Sequence, residues 1–251
     1  MYGYESDGRY AASDFTYDGS KWILNEGVTD ASGLVGSNYF GPGSMKLKDQ
    51  NGDGKIDASD KVVIGNALPL ATGGFNLSGY LYGFDFSANF NYVFGNDIYN
   101  ANKVEFTHSR KYKKRNLLSS MEVANRWTNI DWETGELITD AEALDALNAG
   151  TTMWSPACQN AIFSDWAVED GSFVRLQSAT IGYTLPEKVT MKIKMQKLRF
   201  YVTGTNLFCL TKYSGYDPEV DTRRSTPLTP GVDYAAYPKS IGFVAGANIT
   251  F

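Results

Sequence analysis

From Phe84 to Phe94 the even positions read Phe84, Phe86, Ala88, Phe90, Tyr92 and Phe94, and the odd ones between them read Asp85, Ser87, Asn89, Asn91 and Val93. A two-residue period held over this length predicts a strand with one apolar and one polar face. Just before it, Phe75, Leu77, Gly79 and Leu81 alternate with Asn76, Ser78, Tyr80 and Tyr82. Only a short turn around Tyr82-Gly83 separates the two runs, which predicts a tight hairpin. A third run sets Ala179, Ile181, Tyr183 and Leu185 against Ser178, Thr180, Gly182 and Thr184 until Pro186 stops it. A fourth sets Leu198, Phe200 and Val202 against Arg199, Tyr201 and Thr203. The fifth sets Ile241, Phe243, Ala245, Ala247, Ile249 and Phe251 against Gly242, Val244, Gly246, Asn248 and Thr250.

These runs place strands at 74–82, 84–95, 172–185, 197–208 and 240–251, each close to the length a tilted strand needs to cross a bilayer. The second face is small and polar, rich in Asn, Ser, Thr and Gly, which suits the wet lumen of a large barrel better than a sandwich surface of Lys and Glu. The links alternate short, long, short, long. The short ones lie at Gly83 and 187–197, the long ones at 96–171 and 211–239. Barrels of the outer membrane show the same asymmetry, with short periplasmic turns and long external loops. The fold class predicted is therefore all-β: a segment of a transmembrane antiparallel β-barrel of about five strands with long, partly helical extracellular loops. Residues 74–251 would hold the strands, and 1–73 would be a further extracellular loop region. Helical pieces are expected at Leu117–Trp127 and Asp140–Leu147, where apolar residues recur at spacings of three and four. A soluble β-sandwich is the alternative, disfavoured by a loop as long as 96–171.

Composition narrows this. Of 251 residues, 16 are Tyr, 14 Phe and 25 Gly against 8 Pro, which suits many strands. The 23 basic and 28 acidic residues are mixed along the chain, so there is no basic face for nucleic acid, and the run Arg110–Arg115 reads as a solvated loop. No apolar run is long enough for a membrane helix, so any span must be β-structure. The opening residues, Met1-Tyr-Gly-Tyr-Glu, lack the basic start and apolar stretch of a signal peptide. Cys158 and Cys209 fit neither a disulfide framework nor a metal cluster, and pairing between them is left open. His108, the single histidine, has no nucleophile motif near it and reads as structural or solvent-facing, so no enzyme is predicted. Asp217, Glu219 and Asp221 read as a solvated acidic loop rather than a glycosidase pair. Tyr112, Trp127, Trp132, Trp154 and Trp166 serve equally well as packing anchors or stacking platforms.

One stretch carries site chemistry. In Asp49-Gln-Asn51-Gly-Asp53-Gly54-Lys55-Ile-Asp57-Ala-Ser-Asp60, oxygen groups recur at positions 1, 3, 5, 7, 9 and 12 of a loop that turns at a glycine in position 6. Asp49, Asn51, Asp53, the Lys55 carbonyl, Asp57 and Asp60 are the candidate ligands of a structural calcium ion, with Asp at position 12 in place of a bidentate Glu. Asn-Gly-Asp-Gly is also plain turn chemistry, and a metal-free turn stands beside the calcium reading.

Asn51-Gly-Asp-Gly54, Ile64-Gly65, Tyr82-Gly-Phe-Asp85, Gly95-Asn-Asp-Ile-Tyr-Asn100, Glu169-Asp-Gly-Ser-Phe173, Arg175-Leu176 and Gly182-Tyr-Thr-Leu-Pro186 occur in this order. So do Leu198-Arg-Phe-Tyr-Val, Gly204-Thr-Asn-Leu207, Tyr213-Ser-Gly-Tyr-Asp-Pro-Glu219, Asp233-Tyr234, Tyr237-Pro238 and the terminal Phe251. Together they resemble the C-terminal part of the SusC/RagA family of TonB-linked outer-membrane transporters. The resemblance implies a barrel of about 22 strands filled by a plug, a location in the cell outer membrane and contact with outer-membrane lipid. It also implies a SusD-like surface lipoprotein over the external face, and uptake of oligosaccharides or peptides driven by the TonB complex through an N-terminal part. Five strands cannot close a barrel, so this stretch is expected not to transport by itself. The alternative function is a soluble calcium-dependent glycan-binding β module.

Overall fold

The computed structural model describes residues 1–36, 40–109, 116–157, 162–219, 230–234 and 236–251. The chain divides into two compact units, Met1–Asn66 with Tyr99–Glu169, and Ala67–Ile98 with Asp170–Phe251. Among the described residues no helix is long and apolar enough to cross a membrane.

The second unit is built on a five-stranded antiparallel sheet: β1 (Ala71–Leu81), β2 (Phe84–Phe94), β3 (Phe173–Thr184), β4 (Lys197–Thr211) and β5 (Gly242–Thr250). The strands lie side by side in chain order. At the turn between β1 and β2, Tyr82 and Gly83 both take positive φ, 51° and 89°, the mirror-image geometry that matches strand twist. Leu81 therefore faces Phe84 across the hairpin. Between β3 and β4 the chain makes a short helical turn, Glu187–Thr190, and Lys194 in the left-handed region turns it back. Among the described residues β1 and β5 each pair on one side only, so the sheet is open and the expected barrel is not formed by these strands.

Alternation holds through the sheet except at one place. The register of β3 shifts between Leu176 and Ser178 against both neighbours: Gln177 is an extra residue relative to β2, and β4 in turn has one residue more than β3, with Asn206 and Leu207 facing Gln177. Continuing the odd-apolar rhythm of Ala179, Ile181 and Tyr183 backwards would put Arg175 on the apolar face. The bulge reverses the parity and puts Arg175 opposite Asn91 and Cys209, on the polar one.

The first unit differs from the sequence reading. Residues 1–66 and 99–169, expected as two separate loops, share one core. Tyr4, Tyr10, Phe15, Val35, Met45, Leu47 and Ile56 pack with Met121, Met153, Trp154 and Ile162. Short strands frame it: Ser6–Arg9 pairs with Met45–Leu47, and Phe15–Tyr17 with Trp22–Leu24. A helix, Ala141–Asn148, starts where expected, its first turn capped by Asp140 accepting from Ala143 N at 2.8 Å. It docks through Asp145, whose carboxylate accepts from Ala12 N at 2.6 Å and Ser13 N at 2.9 Å. The segment 117–127 is not one helix; only Ser119–Met121 winds, as a 3₁₀ turn. Asn125 Nδ2 donates to Ser120 O at 2.7 Å, a side-chain bond that competes with the helical ladder, and Met121 is drawn into the core. The Arg9 guanidinium lies 4.8 Å from the Trp127 ring and donates to the carbonyls of Asn148 and Met153. Trp127 in turn packs flat over Gly43, which has φ +80° and no room for a Cβ.

Gly43→Ala should displace Trp127 and strain the backbone together, lowering the stability of this unit by about 2–4 kcal/mol. Urea denaturation followed by tryptophan fluorescence measures it; an unchanged midpoint would contradict the packing.

Candidate functional site

The two faces of the five-stranded sheet have opposite chemistry. One carries Phe75, Leu77, Phe84, Phe86, Phe90, Ile181, Tyr183, Phe200, Val202, Phe208, Phe243 and Ile249, placed by the registers of all four strand pairs. Rings meet across strands, Phe75 on Phe90 at 4.7 Å and Phe84 on Tyr183 at 4.5 Å. Yet Phe84, Phe86, Ile181, Phe200, Val202 and Phe243 are each more than half exposed. This continuous apolar face far exceeds the scattered hydrophobics of a soluble surface.

The opposite face is polar and paired with itself. Asn76 Nδ2 donates to Asn89 Oδ1 at 2.7 Å, and Asn89 Nδ2 to Ser178 Oγ at 2.9 Å, a ladder across β1, β2 and β3. Thr180 and Thr203 hydroxyls lie 2.8 Å apart. Nearer the turns, Arg199 Nε donates to Asp85 Oδ1 at 2.8 Å, joining β4 to β2 over the intervening strand. Gly182 of β3 lies beneath the pair, and a Cβ there would come within 2.6 Å of Asp85 Oδ1. Of the residues expected to line a lumen, Asp85, Asn89 and Asn91 all lie on this face.

At the loop end of the same face stands a buried ionic cluster that sequence reading missed. Arg175 and Asp217 are both nearly inaccessible and pair at 2.5 Å. Arg175 Nε lies 3.3 Å from Glu219 Oε2, and Lys239 Nζ pairs with the same carboxylate. Tyr213 OH donates to the buried Asp233 at 2.7 Å. Asp217 is thus not a solvated loop residue, and the reason is Arg175; Asp221 lies outside the described residues. Cys209 is half-buried on β4, while Cys158, Tyr112 and the run Arg110–Arg115 lie outside the described residues. His108, Trp127 and Trp154 are buried, and Trp132 is exposed.

In the Asp49–Asp60 loop the oxygens hold backbone N–H groups. Asp49 accepts from Gly52 N at 2.7 Å and Gly54 N at 2.8 Å, Asn51 from Asp53 N, Asp53 from Lys55 N, and Asp57 from Ser59 N. Asp60, fully buried, takes Gln50 N and Asp57 N and braces the two ends of the loop. The Gly54 N–H above all holds the Asp49 carboxyl below its usual range. That stabilisation is in full force above the unfolded value, about pH 3.9, and is lost as the pH falls through the lower folded one. Asn51 Nδ2 lies 3.0 Å from Asp53 Oδ2, so these two groups already meet. Among the described residues, no three Asp, Glu, His or Cys side chains converge as a ready-made metal cage.

No family model matches the chain. Among curated proteins, TonB-dependent receptor P3 of Formosa agariphila is 30% identical over 255 residues, covering all of this chain and 22% of its own length. TonB-dependent receptor P39 of the same organism is 31% identical over 276 residues, covering all of this chain and 25% of its own length. TonB-dependent receptor SusC of Bacteroides thetaiotaomicron is 26% identical over 241 residues, covering 94% of this chain and 20% of its own length. The chain thus spans a quarter or less of these relatives. Among solved structures, the RagAB peptide transporter matches the whole chain with a TM-score of 0.67 at 21% identity, over 22% of the matched chain. The RagAB peptide importer in its 'closed-closed' state matches with 0.62 at 23%, over 23% of the matched chain.

Gly182→Val should push Arg199 off Asp85 and lower the melting temperature in detergent, whereas Gly33→Val, in open space, should leave it unchanged. Equal melting of the two variants would show that the bridge over β3 does not need the gap.

Proposed function

This chain is a homologue of SusC-type TonB-dependent receptors, and on that premise we propose that it is a stretch of outer-membrane barrel wall from a nutrient transporter. The bare apolar face carries the reading. A sheet whose backbone is laddered throughout and whose one face is apolar meets the two demands of a bilayer, leaving only its edges to be paired. In this reading Phe84, Ile181, Phe200 and Phe243 face lipid and the Asn76–Asn89–Ser178 ladder faces the lumen. The turns at Tyr82–Gly83 and 185–196 are periplasmic, and the opposite end of the sheet, where the long connections leave, is extracellular. The free edges of β1 and β5 pair with further wall strands.

The transporter's cargo is an oligosaccharide or a peptide, its external partner a SusD-like lipoprotein, and its energy source the TonB complex. Support for these comes from the resemblance over the whole chain and from relatives named as TonB-dependent receptors, none of them an enzyme by name. A peptide cargo is what the RagAB structures are titled for.

In bicelles doped with a nitroxide-labelled acyl chain, NMR broadening should fall on the side chains of Phe84, Ile181, Phe200 and Phe243 and spare Thr180 and Thr203. Uniform broadening, or a soluble monomer without detergent, would sink the wall reading. Ile181→Arg should cost about 2–4 kcal/mol of insertion and Thr180→Arg much less.

The Asp49–Asp60 loop enters the same reading as a structural calcium site, supported by its ligand spacing. The N–H bonds to Asp49, Asp53, Asp57 and Asp60 leave carboxylate lone pairs over for an ion. Calcium at a hundredfold excess over its Kd should then stabilise the first unit by about 2.7 kcal/mol, and Asp49→Asn should remove the effect. A melting curve unmoved by calcium or chelator would leave a metal-free turn.

A further inference from the structure

Resting on the assignment of the polar face to the lumen, we infer that Arg175, Asp217, Glu219 and Lys239 form a latch. It fastens the stem of the last long connection onto the wall, making that stem a fixed strap rather than a swinging lid.

Three separate pieces of chain meet there: β3 through Arg175, the segment leaving β4 through Asp217 and Glu219, and the segment returning to β5 through Lys239. Their formal charges balance, two positive and two negative. Asp217 is the most committed of the four. Its carboxylate takes the Arg175 guanidinium, the Glu219 N–H at 2.9 Å and the Lys239 N–H at 3.4 Å. The outgoing and returning segments are thus held by one side chain as well as by the wall. Tyr213 to Asp233 is a second tie between the same two segments.

What makes the latch stay shut is the absence of another partner for Arg175 on the sheet. Its in-register neighbours on the polar face are Asn91 of β2 and Cys209 of β4, neither an anion, and the Phe173 ring lies 5.5 Å from its guanidinium. Lifting the strap would part Arg175 from both of its carboxylates with no anion on β2 or β4 to replace them, and a charge pair held away from water couples more strongly than an exposed one. A lid built to open needs weak, solvated contacts; this stem has the reverse.

Hydrogen exchange read by mass spectrometry on the whole chain in detergent tests the latch. Wild-type peptides covering 213–219 and 232–234 should be protected. In Arg175→Met they should exchange about a hundredfold faster, and in Glu219→Gln about tenfold, with the β1–β2 hairpin unchanged in both. Glu219 is partly exposed, so Glu219→Gln decides the matter if Arg175→Met raises exchange everywhere. An unprotected strap in the wild type, or wild-type exchange in Glu219→Gln, overturns the latch. Lipid broadening of Phe84 and Ile181 reads the wall assignment separately, so either can fail while the other stands.

Discussion

The five-stranded sheet completes its backbone ladder while its apolar face is more than half exposed at Leu77, Phe86, Ile181 and Phe243. In water such a face would drive aggregation. In hydrocarbon it needs nothing more. The same strands show the opposite solution on their other side, where Asn, Ser and Thr bond to one another across strands instead of reaching for water as Lys or Glu would. A single sheet thus faces two different media, and the period of two residues keeps them apart. The glycines beneath large side chains belong to the same economy of space, since Gly182 is what lets Asp85 and Arg199 join across a strand.

The strands were legible because their signal is local. Alternation at Phe84–Phe94 and the Tyr82-Gly83 turn each lie within a dozen residues, and the observed ends fall within three residues of the expected ones. The first unit was not legible, because its core joins Tyr10 and Met45 to Met121 and Trp154. No window of sequence holds both sides of such a contact, so each half reads as irregular loop. The segment 117–127 has helical spacing, but the side-chain bonds of Asn125 and the burial of Met121 outweigh that pattern.

The acidic loop shows a subtler limit. Asp217 and Glu219 look like solvent residues because the partner that buries Asp217, Arg175, lies 42 residues away. Arg175 itself is disguised by Gln177, an extra residue relative to β2 that makes simple counting assign Arg175 to the wrong face. The Asp49–Asp60 loop is the converse case. Its motif is plain in sequence, but its Asp and Asn side chains are turned to the loop's own backbone N–H groups.

The first unit is interrupted in sequence by the β1–β2 hairpin. On a growing chain, Tyr4, Tyr10 and Met45 are made long before Met153, Trp154 and Ile162, so the apolar surface of the first half must wait uncovered while the hairpin is synthesised. Closing a loop that long is slow and entropically costly relative to pairing β1 with β2, which needs only a two-residue turn. The core of the first unit thus carries a loop-closure cost that the β1–β2 turn does not, and it can be completed only when both of its halves are present.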